Sequence, residues 1–258
     1  MMNERKTIVD ISKWQTRVDF AYLLEHGVSG VVIKAGQAEW QDKRFVQHME
    51  GALAAKMPVN VYWWADPFTS VARHISAMRA TLCNYRFNTM WLDMEQCGYT
   101  YLNLPLIVSP HRLSAWAYDL VLSSQSLFFN ELIGVYTRPW FIQERMWPAR
   151  TWLPTVPQWY ATYPTIPVKT CKKKLTWEEL FGTVGCVPMQ VKIGYPPAYP
   201  ANLRNPVMWQ YSSTHILPGI YGGAAGQSDT TTDLNMWLGS EDLFHLYFNR
   251  SGIYVVTQ

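Results

Sequence analysis

Short β-branched and aromatic runs alternate with stretches of helical spacing along most of this chain, and the links between them are short. The runs are Thr7–Ile11, Gly30–Ala35, Val59–Trp64, Thr89–Gln96, Ile133–Thr137, Gln158–Tyr163 and Val207–Ser212. Between them, helical spacing covers 19–26, 45–56, 70–85 and 113–124, with a shorter signal near 139–146. Few folds accept that order. Strands joined through helices become parallel neighbours, and a parallel sheet needs helices over its faces. The first strand is not followed by a Gly-rich phosphate fingerprint, which disfavours a doubly wound nucleotide fold. Polar residues recur instead at the C-terminal ends of successive strands: Asp10, Lys34, Tyr62, Asp93 with Glu95, Tyr136 and Gln210. A β/α barrel builds its active site from those ends.

The alternation fades after the sixth run. Residues 164–206 are rich in Pro, Lys and Gly, with a short helical signal at 177–181, and read as an insertion or lid. A last acid-bearing stretch, Asp233-Leu234-Asn235, follows a Gly-rich loop. Residues 240–258 form a C-terminal extension, with a helix expected over 241–249 and a strand near 253–256. No linker separates two cores, so one domain over 1–258 is the economical reading.

Composition narrows the chemistry. The chain is 48% hydrophobic and 16% charged, as expected of a globular protein. Its 13 Trp and 15 Tyr suit stacking against the apolar faces of sugars as well as core filling. A net charge of +3 is too small to argue for nucleic acid, but it favours an anionic surface such as a bacterial wall. Four cysteines in no CxxC spacing suggest neither a disulfide framework nor a metal site, and no cofactor is implied. Cys171 and Cys186 flank one irregular segment and could pair in an oxidising compartment; free buried thiols are expected. The six histidines read as surface or capping residues, and no Ser–His–Asp or HExxH arrangement stands out. No apolar stretch is long enough for a signal peptide or a membrane span. The expected location is therefore a cytoplasm, followed by release to the wall by another route.

The stretch Trp91-Leu92-Asp93-Met94-Glu95 carries the strongest chemical signal. Side chains alternate along a strand, so Asp93 and Glu95 share one side while Leu92 and Met94 enter apolar packing. Two carboxylates on one side of a buried strand end are costly, and costly arrangements cluster at sites. Acids at strand ends ringed by Tyr and Trp are what glycosidic bond cleavage requires: one protonates the leaving oxygen, and others stabilise an oxocarbenium-like centre or activate water. Mutual repulsion keeps at least one of them protonated near neutral pH. In the pair Trp63-Trp64, Trp64 shares a face with Tyr62 and is the better groove residue.

In order, Asp10-Ile11-Ser12-Lys13-Trp14-Gln15, Val32-Ile33-Lys34-Ala35, Trp91-Leu92-Asp93-Met94-Glu95 and Trp209-Gln210-Tyr211-Ser212-Ser213 resemble the motifs of glycoside hydrolase family 25, the Chalaropsis-type lysozymes. The resemblance spans roughly 7–238. It implies an irregular, flattened TIM-like β/α barrel, about (β/α)5(β)3. It also implies hydrolysis of the β-1,4 bond between N-acetylmuramic acid and N-acetylglucosamine in bacterial peptidoglycan. Residue by residue, Glu95 matches the proton donor, Asp93 the neighbouring acid, Asp10 the first-strand acid and Asp233 the late acid, with Asp229 as competitor. Tyr62, Tyr136, Trp159 and Trp209 fall where the family presents aromatics to the substrate, and Lys34 near the groove floor; Trp64, from its strand face, and Gln210, from its strand end, complete the expected substrate-binding set.

The chain departs from the family after Lys34-Ala35, where Gly36-Gln37-Ala38-Glu39 stands, and in the long 164–206 segment with Lys172-Lys173-Lys174. The lack of a signal peptide favours a monomeric phage lysis enzyme released through a holin, with non-classical secretion as the alternative. Retaining, inverting and substrate-assisted mechanisms all stay open. The competing reading is a non-catalytic glycan-binding or virion structural protein that keeps the barrel. The clustered acids favour the enzyme, because a binder has no use for mutually repelling carboxylates.

Overall fold

A computed structural model describes residues 6–101, 104–162, 183–184, 187–188, 206–222, 231–248 and 252–253. Eight strands close into a barrel: β1 (Thr7–Ile11), β2 (Val28–Gln37), β3 (Val59–Trp64), β4 (Thr89–Asp93), β5 (Leu132–Thr137), β6 (Gln158–Ala161), β7 (Pro206–Ile216) and β8 (Thr231–Trp237). From β1 through β7 each strand lies parallel to the next. β8 closes the ring antiparallel to both β7 and β1. Helices α1 (Phe20–Glu25), α2 (Phe45–Ala54), α3 (Val71–Leu82), α4 (Pro110–Leu127) and α5 (Pro139–Glu144) follow the first five strands in turn. The mixed α/β barrel expected from the alternation is therefore present.

Strand alternation divides the apolar residues into two cores. Val9, Val31, Ile33, Val61, Met90, Leu92 and Val135 point outward into the layer beneath the helices. Ile8, Val32, Trp91, Tyr136, Trp159, Met208 and Trp237 point inward and fill the barrel. Gly134 makes the inward packing possible, since a Cβ there would lie 2.4 Å from the Trp91 ring.

A sixth helix, α6 (Glu241–Phe248), closes the N-terminal end of the barrel. Its Phe244, Tyr247 and Phe248 join the inner core, and the Tyr247 ring stacks on Trp91 at 6.3 Å. Asn88 Nδ2 donates to Leu246 O at 2.7 Å and Thr89 Oγ1 to Tyr247 O at 3.2 Å, tying the helix to the start of β4. With that end plugged, only the C-terminal end of the barrel is free to hold a site.

Several elements differ from the sequence reading. β8 is hard to read as a strand because Asp233 and Asn235 on its inward face are polar, which confines its apolar signal to Leu234, Met236 and the terminal Trp237. Its antiparallel pairing makes the sheet mixed rather than wholly parallel. β4 ends at Asp93, so Glu95 lies just beyond the strand, although Met94 N still donates to Tyr136 O at 2.8 Å. Four small antiparallel pairs lie outside the barrel: Gly98–Tyr101 with Leu104–Ile107, Gln15–Val18 with Ile220–Gly222, Tyr85–Arg86 with Gly252–Ile253, and Thr183–Val184 with Val187–Pro188. His48 and His74 are buried rather than at the surface. His48 Nε2 bonds Gln15 O, and His74 accepts from Trp63 Nε1 at 3.1 Å. Burial pushes both imidazoles below the usual histidine range.

Cys83 is exposed and Cys97 half-buried, both as free thiols. Most of the 164–206 segment lies outside the described residues, as do the helix signal at 177–181, Lys172 to Lys174, Cys171, Cys186 and Asp229. Among the described residues, no helix is long and apolar enough to cross a membrane.

Candidate active site

The open end of the barrel holds a cavity of about 390 Å3. Asp10 of β1, Tyr62 and Trp64 of β3, Asp93 and Glu95 at the end of β4, Tyr136 and Arg138 at the end of β5, Trp159 of β6, Gln210 and Ser213 of β7, and Asp233 of β8 line it. Seven strands and the turns beyond them thus converge on one space, with four carboxyl groups in its wall.

Asp10 is the best-anchored acid. Its Oδ2 accepts from Asn235 Nδ2 at 2.7 Å and from Gln210 Nε2 at 3.0 Å. Those two amides are fixed in turn: Trp159 Nε1 donates to Asn235 Oδ1 at 2.9 Å, and Tyr136 Oη donates to Gln210 Oε1 at 3.0 Å. β8 sets Asp233 directly across from Asp10 in the strand register, and the two carboxyls share a hydrogen bond. Burial raises all of Asp10, Asp93 and Asp233 above the usual carboxylate range, but Asp93 and Asp233 are raised much further. Donors from Asn235, Gln210 and Asp233 restrain Asp10, whereas Asp233 is pushed up again by the charge of Asp10 and by donating to it. The two amide N–H donors on Asp10 Oδ2 favour the charge on Asp10 and leave Asp233 as the donor of the shared hydrogen bond.

Asp93 and Glu95 lie on one side, as strand alternation requires. Asp93 is 4% exposed and its Oδ1 has no hydrogen-bond partner, a costly state for an anion. Burial first and the neighbouring Glu95 second hold it in the neutral form; Lys34 and Arg138 only partly oppose them. Glu95 stands nearer the rim, its side chain 15% exposed, with Oε2 2.8 Å from Arg138 Nε. The two atoms are in ion-pair contact without the alignment of a hydrogen bond. The guanidinium thus holds Glu95 by charge.

The aromatic wall follows from the same alternation. Trp159 meets Tyr136 at 4.5 Å and Tyr62 at 6.5 Å, both edge to face. Trp64 faces the cavity with Nε1 donating to Gln96 Oε1 at 2.9 Å, while Trp63 is buried beneath α3. Two expected groove residues lie elsewhere. Trp209 alternates with the inward Gln210, so it points into the outer core, with Nε1 donating to Thr162 O at 2.9 Å. Lys34 does not line the cavity. Its ammonium lies 5.0 Å from the Trp64 ring centre and donates to Gln37 Oε1, and burial lowers its pKa.

Arg138 and Asn235 were missed in the sequence, though both carry the signal that found Asp93 and Glu95. Arg138 falls two residues after Tyr136, and Asn235 two after Asp233. Each shares its predecessor's face.

The model of the family described as Glycosyl hydrolases family 25 matches residues 9–220 of the chain. The chain belongs to that family. As a member of family 25 it is a glycoside hydrolase, and its fold recurs in solved relatives at low identity. The bacterial lysozyme of Streptomyces coelicolor is 18% identical, with a TM-score of 0.69 and coverage of 96% of this chain and 99% of that one. A muramidase from Trichobolus zukalii is 20% identical, with a TM-score of 0.64 and coverage of 94% and 98%. The modular autolysin LytC from Streptococcus pneumoniae, solved with a synthetic peptidoglycan ligand, is 16% identical at a TM-score of 0.59. That match covers 92% of this family 25 chain and 48% of the autolysin. No curated protein matches in sequence.

Proposed function

We propose that this family 25 enzyme is a muramidase, hydrolysing the β-1,4 bond between N-acetylmuramic acid and N-acetylglucosamine in peptidoglycan. The observation that carries the reading is the division of labour among four carboxyls in one aromatic-walled cavity. A glycosidase needs one acid that can give a proton at the rim and a fixed negative charge deeper in the site. Glu95, nearer the rim with its side chain 15% exposed, suits the first role. Asp10, held by Asn235 and Gln210 and facing a protonated Asp233, suits the second.

In this account Glu95 protonates the glycosidic oxygen as the bond to the anomeric carbon breaks. Asp10 needs no reorganisation to stabilise the positive charge that develops there, because its orienting donors are already in place. Asp93 and Asp233 stay neutral, which limits the repulsion a fully ionised cluster would suffer. Tyr62, Trp64, Tyr136 and Trp159 supply faces for the apolar sides of the sugar rings. Lysozyme, muramidase and autolysin relatives of the same fold support peptidoglycan as the substrate.

Product analysis tests the bond cleaved. Digested walls are reduced with borohydride and hydrolysed. The reading expects reduced N-acetylmuramic acid as the new end. Reduced N-acetylglucosamine, or no new reducing ends, would sink it.

A further inference from the structure

A second surface adjoins the mouth. The loop after β1 leads from Asp10 to Lys13, Trp14 and Arg17, all three exposed. Its strand Gln15–Val18 pairs with Ile220–Gly222, which sets Tyr221 across from Arg17. The Arg17 guanidinium lies 4.0 Å over the Tyr221 ring and the Lys13 ammonium 4.8 Å over the Trp14 ring. Lys13 N also donates to Asp42 Oδ2 at 3.2 Å, which joins this loop to Lys43 and Arg44 at the head of α2. Arg44 Nη1 donates to Gln47 Oε1, and Gln47 Nε2 reaches back to Thr16 O. Lys13, Arg17, Lys43 and Arg44 therefore belong to one connected surface.

The four cations outnumber Asp42 and Asp19, the carboxylates placed among them. Among the described residues, none of the four forms an ion pair with a carboxylate. The acids within the surface are already engaged by backbone N–H groups. Asp42 is buried and accepts from Lys13 N and Arg44 N, and Asp19 caps α1 through Tyr22 N. Stacking on Tyr221 leaves the edge of the Arg17 guanidinium open for a bidentate anion. Four unpaired cations in a protein of net charge +3 make a local excess beside a mouth walled by acids.

We propose that this surface binds a linear polyanion with regularly spaced phosphodiesters, of the polyol-phosphate kind attached to bacterial walls, and so docks the enzyme beside its glycan. The inference rests on the wall reading above. Four cations on one connected surface match a repeating anion better than the few flexible carboxylates of a stem peptide, and attraction of this type grows with each cation engaged and weakens with salt.

The test measures binding of the full chain, on ice, to walls bearing such a polymer and to the same walls stripped of it by cold hydrofluoric acid. Wild type is expected to bind intact walls at least about tenfold more tightly, with the preference shrinking as salt rises. The K13E/R17E/K43E/R44E variant should lose the preference yet hydrolyse stripped walls at the wild-type rate. If it cannot hydrolyse them, the milder R17Q/K43Q variant decides by a partial loss of preference. Equal wild-type binding to both walls, a variant that keeps the preference, or equal losses on both walls overturns the proposal. The last result would point to the stem peptide. Failure of wild type to hydrolyse stripped walls counts against the muramidase reading instead, and is read separately from binding.

Discussion

Asp10 and Asp233 stand directly opposite one another on neighbouring antiparallel strands, and their carboxyls share a hydrogen bond. The arrangement exists because β8 runs against the direction of the other seven strands. It places a donor carboxyl against a carboxylate in the wall of the cavity.

That pairing has a consequence for stability. Asp233 has a folded-state pKa raised well above its unfolded value, chiefly by burial and then by the Asp10 charge. Such a group contributes stability below its unfolded pKa and loses it as pH rises through the folded value. Asp233→Asn keeps a donor toward Asp10 and removes the ionisation. The variant should melt higher than wild type at neutral and alkaline pH, by about 2–4 °C for each kcal/mol relieved. The gain should vanish on acidification below pH 4. A variant less stable than wild type at pH 8 would show that Asp233 is a stabilising anion. Its activity should fall in either case.

Arg138 holds Glu95 and lowers the pKa of both Asp93 and Asp233. Removing the cation with Arg138→Met should therefore move the pH–rate profile to higher pH. It should also lower kcat on the order of 10²-fold by freeing the Glu95 carboxyl from its position. Arg138→Lys keeps the charge and should restore the profile better than the rate. An unshifted profile in Arg138→Met would remove Arg138 from the account.

Two tryptophans that look equivalent in the sequence should behave differently. Trp64 lines the cavity, so Trp64→Ala should raise KM by about tenfold with little change in melting temperature. Trp209 lies in the outer core, so Trp209→Ala should cost about 3–5 kcal/mol of stability. Thermal melts and steady-state kinetics on soluble wall fragments separate the two. Similar profiles for both variants would contradict the placement.

The inner core makes its own prediction. A Cβ at Gly134 would meet the buried Trp91 ring at 2.4 Å and Pro157 O at 3.2 Å. Gly134→Ala should cost about 1–3 kcal/mol, read by denaturant unfolding. A neutral effect would mean that Trp91 shifts freely above α6.

Much of this site was legible because a strand's alternation is simple. Asp93 and Glu95, the groove placement of Trp64 and the inward Gln210 all follow from it. The same rule, carried one step further, would have found Arg138 after Tyr136 and removed Trp209 from the groove. β8 was harder to read. Its inner face is built from residues that bond to β1 rather than pack in oil, so the apolar pattern that marks a strand is missing where the chemistry is densest. His48 and His74 were misread because helical spacing alone does not reveal that a ring nitrogen meets Gln15 O or Trp63 Nε1 inside the protein.

The central claim is that Glu95 delivers the proton. Turbidity clearing of bacterial walls by wild type and by Glu95→Gln at equal concentration, each confirmed folded by its melt, tests it most directly. Loss of the general acid should slow clearing by about 10²–10⁴-fold. Clearing by Glu95→Gln at the wild-type rate would contradict the account.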